Sequence, residues 1–360
     1  MLIFTNRLLT QSPTDAALSG AYTPFSLALN TVQVARTGHT PPQWKVSAPT
    51  SMVADDAAIA MLAEVLKGPK PVLVFVHGNN NTPADCFTRC QALEDQFGVA
   101  VVGYSWASEG YQPDGSDLAA MVSGGPGTDT GEDSLSGITK DNLKEGWIQS
   151  KARRYAQAKV NAQHSTASLA RFFRLLAAAR VTSVAQPFSV LVHSLGCHFL
   201  HYMVDHEAAA ASVSLAQNIV LAAGCTGAAK HAGWVTQLNP RGRVYLTFTQ
   251  ADSVLAAARI VDGDIKLGCD PGPDRIVNAK YRYIDFQGAF KMKLGAHRYF
   301  VADPGKTLSK QATRLFKNIF SSQEDFSSPD DLKKVYPVGC RVDGTVCYMG
   351  AGASEPDSHG

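Results

Sequence analysis

Three stretches of this chain carry residue types that can do chemistry. The first is Val192-His193-Ser194-Leu195-Gly196, which stands where the apolar run FSVLVH (188–193) gives way to the helical pattern CHFLHYMV (197–204). A strand that turns sharply into a helix projects its serine, and small neighbours relieve the crowding of the turn. Val192 occupies the position where the usual G-x-S-x-G turn has its first glycine. Read alone, a serine in this place is also an ordinary helix N-cap. As a nucleophile, Ser194 needs a base to take its proton and an acid to hold that base; folds with a serine on such a strand-to-helix turn place these after the later strands, in chain order serine, acid, histidine. Of the ten histidines only His297 and His359 follow the last strand candidate, and His359 is the penultimate residue of a Gly- and Ser-rich tail, so His297 is the expected base. Asp252 directly follows the apolar run at 243–249 and is the expected acid, with a helix cap as its other reading; Asp262, Asp264 and Asp270 stand farther along a loop.

The second stretch is Phe75-Val76-His77-Gly78-Asn79-Asn80-Asn81, at the end of the first strong apolar run. Gly78 permits close backbone approach, and the backbone N–H groups of Asn79 and Leu195 are the expected donors to an oxyanion. Three asparagines in a row also make a plain turn. His77, Gly78, Asn80, Trp106 and His193 are the expected substrate contacts. A third, weaker set, His198, His201, Asp205 and His206, shares one helix with metal-like spacing. It lacks an H-E-x-x-H pattern, so no metal and no cofactor is expected.

These residues need strands and turns to hold them. Apolar runs at 71–77, 99–106, 188–193, 218–223 and 243–249 alternate with stretches of helical period, and weaker candidates lie at 2–5, 27–35 and 281–286. Continuous apolar strands between helices predict an α/β fold: about eight strands, mostly parallel, with helices on both faces. Thr82-Pro83-Ala84-Asp85 predicts a helix start, with Phe87, Cys90, Leu93 and Phe97 as its apolar stripe. One long or broken helix is expected over about 144–180, and a C-terminal helix over about 310–320. The Gly-rich stretch within 110–150 has no Gly-Lys-Ser/Thr and is not a phosphate loop; it is expected as an insertion, either a surface loop or a lid over the serine. The domain is expected to span 1–322, and 323–360 to form a partly disordered arm.

Taken together, HGNNN, Ser105-Trp106-Ala107-Ser108, Asn161-Ala162-Gln163-His164-Ser165, HSLG, the Asp252 loop and the late His297 resemble a bacterial α/β-hydrolase family. That family is catalogued as a domain of unknown function and carries HGFNN-, SWPS- and AHSMG-like motifs. The resemblance covers roughly residues 70–300, with Ala107 where the family has proline. It implies the α/β-hydrolase fold, with Ser194 as nucleophile, His297 as base, Asp252 as orienting acid, and Asn79 and Leu195 as oxyanion donors. A serine hydrolase of the esterase or lipase kind, acting on a small-molecule ester or related acyl substrate, is the expected function. Alternatives are a catalytically silent binding module and an acyltransferase using the same residues.

Composition narrows the remaining classes. Thirty-three Lys and Arg against 31 Asp and Glu leave a net charge of +2, too little to drive nucleic-acid binding. No run approaches the length of a membrane span, and the start lacks a leader pattern, so a cytoplasmic protein without an integral membrane segment is expected. Seven unpatterned cysteines predict reduced thiols.

Overall fold

The apolar runs build a parallel sheet because each is buried on both faces. Strands β6 (Val72–Val76), β8 (Phe188–His193), β9 (Ile219–Ala222) and β10 (Val244–Phe248) are buried along their whole length. The computed structural model describes residues 1–39, 42–114, 135, 138–139, 146–182, 186–287, 297–302, 306–308, 310–322, 338–340 and 346–349. The other strands are β1 (Leu2–Thr5), β2 (Arg7–Leu9), β3 (Leu18–Tyr22), β4 (Asn30–His39), β5 (Pro42–Thr50), β7 (Ala100–Ser105), β11 (Tyr281–Asp285), β12 (Val338–Cys340) and β13 (Val346–Met349). Among the described residues the main sheet has 11 strands in the order β12-β13-β11-β10-β9-β8-β6-β7-β1-β4-β5. Its interior pairings, from β13 across to β1, are parallel; β12, β4 and β5 are antiparallel to their inner neighbours. Strands β2 and β3 form a separate small sheet.

Helices cover this sheet: α1 (Asp55–Lys67), α2 (Pro83–Phe97), α3 (Gly146–His164), α4 (Thr166–Thr182), α5 (Leu195–Glu207), α6 (Ser253–Asp262) and α7 (Lys310–Ser321). Helix α2 starts with a capping box: the Asp85 N–H donates to Thr82 Oγ1 at 3.2 Å, and the Thr82 N–H donates back to Asp85 Oδ2 at 3.0 Å. Phe87, Cys90, Leu93 and Phe97 are its buried stripe. The expected long helix is two, α3 and α4, broken at Ser165, whose hydroxyl accepts from Asn6 Nδ2 at 2.7 Å.

Three features differ from the sequence reading. The sheet is wider than eight strands, because β5 is largely exposed and polar along its outer half and has no apolar run to announce it. The C-terminal region supplies β12 and β13, with β13 parallel to β11 through Tyr283↔Val346, so these few residues extend the sheet edge. Strands of three and four residues are too short to show a period. Cys347, opposite Cys340 in the β12–β13 register, is disulfide-bonded and not a reduced thiol, a pairing that no regular cysteine spacing announces. Most of the expected insertion, 115–134, 136–137 and 140–145, lies outside the described residues, as do 323–337, 341–345 and 350–360 of the expected arm; Leu135 and Ile138 are buried in the core.

Register decides where the site forms. Val76 pairs with Val192, His193 with Ala222, Thr247 with Ala222, and Ser105 with Thr5. The carboxyl ends of β6, β8, β9, β10, β7 and β1 therefore finish at one edge, and the loops after them share it. Open parallel sheets place their chemistry at that edge.

Candidate active site

Ser194 sits between β8 and α5 with φ 52° and ψ −121°, a conformation that L-residues avoid. The turn is compressed against β6: a Cβ on Gly196 would lie 2.7 Å from His77 O and 3.1 Å from Val76 O. Only a glycine lets the helix start approach the end of β6 this closely. The Ser194 N–H donates to Ala222 O at 2.9 Å, and its carbonyl accepts from Cys225 N at 2.9 Å, which fixes the strained backbone from both sides. The Ser194 hydroxyl caps nothing in α5. It lies 3.0 Å from His297 Nε2.

His297 Nδ1 lies 2.7 Å from Asp252 Oδ2. The same aspartate N-caps α6, its Oδ1 accepting from Leu255 N at 2.9 Å. One oxygen holds the helix and the other holds the imidazole, so both readings of Asp252 are realised and the cap locks its rotamer. With Nδ1 donating to the carboxylate, the imidazole presents a lone pair at Nε2 to the serine. All three side chains are at most 1% exposed. Hydrogen bonds sealed from water in this way are electrostatically stronger than exposed ones.

The loop bearing His297 is anchored from below. His193 Nε2 lies 3.0 Å from His297 O, and its ring packs against both His297 and Phe300 with centroids 4.7 Å apart. Tyr299 accepts from Ala223 N at 3.0 Å and pairs with Thr247 Oγ1 at 2.9 Å. Gln96 closes the far end through Ala302, at 3.1 and 3.2 Å.

Leu195 is the first residue of α5, where a backbone N–H has no acceptor within the helix and the dipole is positive. Asn79 lies on the loop that abuts this turn, its carbonyl accepting from Asn81 Nδ2 at 2.8 Å. The other residues expected at the substrate are engaged with protein. His77 accepts the Trp106 N–H at Nε2 (3.1 Å), donates from Nδ1 to Gly78 O (3.0 Å), and stacks on the indole, whose N–H returns to His77 O at 3.0 Å. Gly78 O also receives Asn81 Nδ2 at 3.3 Å, and Asn80 Oδ1 accepts from Arg154 Nη2 at 2.7 Å. His77, Trp106 and His193 are fully buried and support the site from behind.

A family of alpha/beta hydrolases of unknown function (DUF900) has a model that matches residues 54–308, more than two thirds of the chain. The chain belongs to this family. The search of curated proteins found no match, and neither did the search of solved structures. Among the described residues, no helix is long and apolar enough to cross a membrane.

The partners of two residues that the sequence offered only as part of a motif, Asn161, or as a loop acid, Asp262, are set by the fold, and Asp262 ends a helix and does not lie on a loop. Asn161 is a hub, donating from Nδ2 to Ala107 O and Tyr111 O at 2.9 Å each and accepting the Tyr22 hydroxyl at 2.9 Å. Asp262, at the C-terminal end of α6, accepts from Tyr155 Oη (2.7 Å), Lys159 Nζ (3.0 Å) and Lys266 Nζ (2.5 Å), tying α3 to the helix that Asp252 caps. Burial alone would raise the Asp262 pKa, but hydrogen bonds from Lys266 and Tyr155 and the Lys266 charge outweigh it and hold the carboxyl below its ordinary value. Burial pushes the Cys225 thiol up to about 11 and the Cys197 thiol well above its usual value, so neither is an activated nucleophile beside Ser194. Of the histidines of α5, His201 pairs with Asp205 at 3.0 Å and stacks on Trp234.

Proposed function

We propose that this protein is a serine hydrolase that cleaves a carboxylic ester, or a related acyl bond, through an acyl-Ser194 intermediate. The observation that carries the reading is the buried chain Asp252 Oδ2···His297 Nδ1 (2.7 Å) and His297 Nε2···Ser194 Oγ (3.0 Å), joined to a strained serine at the carboxyl edge of the sheet. Ser194 Oγ attacks the acyl carbon as its proton passes to His297 Nε2. Asp252 keeps the other imidazole nitrogen protonated and stabilises the cation that forms. The carbonyl oxygen becomes an oxyanion, and the N–H groups of Leu195 and Asn79 are its proposed donors. Collapse breaks the bond to the leaving group, which departs with the proton from His297. Water, deprotonated by the same histidine, then attacks the acyl-serine and releases the carboxylic acid.

Treatment with a fluorophosphonate followed by intact-mass measurement tests this. A single adduct, lost in Ser194→Ala, is the expected result. A folded protein that takes no label would instead favour a silent binding module.

A further inference from the structure

Among the described residues, Arg7 is a fully buried arginine that the proposed chemistry does not use, and it precedes the matched region 54–308. Strand β1 runs parallel to β7 with Thr5 opposite Ser105, so the chain leaves the sheet as Asn6-Arg7 beside Trp106, at the same edge as the serine. There the guanidinium forms a fork with Glu109, Nη1 to Oε1 at 2.9 Å and Nη2 to Oε2 at 2.6 Å. The same Nη2 donates to Trp106 O at 2.5 Å and to Asn81 O at 3.3 Å, and Nη1 donates to Ser19 O at 3.2 Å. The two carbonyls belong to the two loops that build the serine's surroundings.

Those loops are otherwise joined to each other. The Asn80 N–H donates to Ser108 O at 2.8 Å, and the Asn81 N–H to Ser108 Oγ at 2.9 Å. His77 and Trp106 exchange two bonds, and Asn81 Nδ2 holds Asn79 O and Gly78 O. Glu109 O is fixed in turn by Arg154 Nε at 3.0 Å, and the same arginine reaches Asn80 Oδ1. Asn80 adopts φ 52°, a left-handed conformation that persists only where its surroundings over-determine it.

We infer that Arg7 is a positioning residue for the proposed oxyanion donor at Asn79: its fork to Glu109 and its bonds to Trp106 O and Asn81 O set the height of the HGNNN loop over Ser194. The inference rests on the hydrolase reading. It adds that residues before the matched region complete the catalytic edge. A bare buried ion pair would serve folding alone, and replacing such a pair by apolar residues of similar volume is often neutral. That fact supplies the test.

The full chain is compared with Arg7→Met/Glu109→Met and Arg7→Lys in three measurements: thermal melting, the rate of fluorophosphonate labelling at Ser194, and kcat and KM on p-nitrophenyl acetate. The double variant removes both charges together and leaves no orphaned ion. A loop displaced by a fraction of an ångström should lower kcat and the labelling rate by roughly ten- to a hundredfold. KM should stay within about twofold, because an oxyanion donor acts on the transition state. Arg7→Lys, which keeps the charge without the fork, should lose less than the double variant yet fall short of wild type. A double variant that melts cooperatively and keeps wild-type kcat overturns the inference. If the double variant does not melt cooperatively, Arg7→Lys at wild-type kcat overturns it equally. Wild-type protein that neither labels nor turns over the ester overturns the hydrolase reading and this inference with it, whereas labelled wild type with unaffected variants overturns the inference alone.

Discussion

Replacing Asp252 by asparagine separates the two duties of that residue. In the structure Oδ1 caps α6 at Leu255 N and Oδ2 faces His297 Nδ1 at 2.7 Å. An asparagine keeps its oxygen on the Leu255 N–H, because turning the amide over would set NH₂ against N–H and cost about 1–3 kcal/mol. Its NH₂ then faces His297 Nδ1, which must accept. The imidazole proton moves to Nε2, and the nitrogen 3.0 Å from Ser194 becomes a donor that cannot take the hydroxyl proton. The cap itself changes by only a few tenths of a kcal/mol, since Asn and Asp are nearly equal at this position. The chemical barrier, by contrast, should rise by about 5.5 kcal/mol, a loss of about 10⁴ in kcat. The assay is steady-state hydrolysis of a chromogenic ester beside a thermal melt. Asp252→Asn protein that melts as wild type and retains kcat within about tenfold would refute the tautomer argument.

Three further outcomes follow from the packing. Gly196→Ala places a Cβ against the backbone oxygens of His77 and Val76, so it should cost about 1–3 kcal/mol in melting and slow labelling of Ser194. Asp262→Asn leaves Lys159 and Lys266 without their shared carboxylate and should expose α3 to faster amide exchange. Because the Asp262 pKa is depressed, its contribution is present above the ordinary aspartate pKa of 3.8 and lost as pH falls through the lower folded value. The variant should show no such acid loss. His198 is pushed down to about 3, first by burial and then by the Lys159 charge, and among the described residues its buried Nε2 has no hydrogen-bond partner. The unfolded chain takes a proton near pH 6.5 and the folded one does not, so stability should fall between about pH 6.5 and 3 by up to about 1.4 kcal/mol per pH unit. Urea denaturation across that range should give a shallower slope for His198→Gln, and an unchanged slope would refute the assignment.

Local sequence determined those parts of the molecule whose physics is local. Strands β6, β8, β9 and β10 read as strands because burial on both faces demands unbroken apolar runs. Helix α2 was legible in Thr82, Pro83 and Asp85, and the sharp turn at Ser194 in a strand running directly into a helix with Gly196 after it. Asp252 and His297 were legible as types and positions, since each follows a strand whose end must lie at the carboxyl edge. Only the tertiary structure decided the rest. Strand β13 depends on pairing with β11 and β12 on pairing with β13, and no period of three or four residues could announce them. His77, Trp106 and His193 carry polar atoms that suggest a substrate, but whether a side chain faces a cavity or a neighbouring loop is settled by register and packing. Arg7 meets Glu109 across 102 residues, and Tyr155 meets Asp262 across 107. Nothing near either residue in the chain marks it, because the contact exists only once parallel strands have brought their ends to one edge.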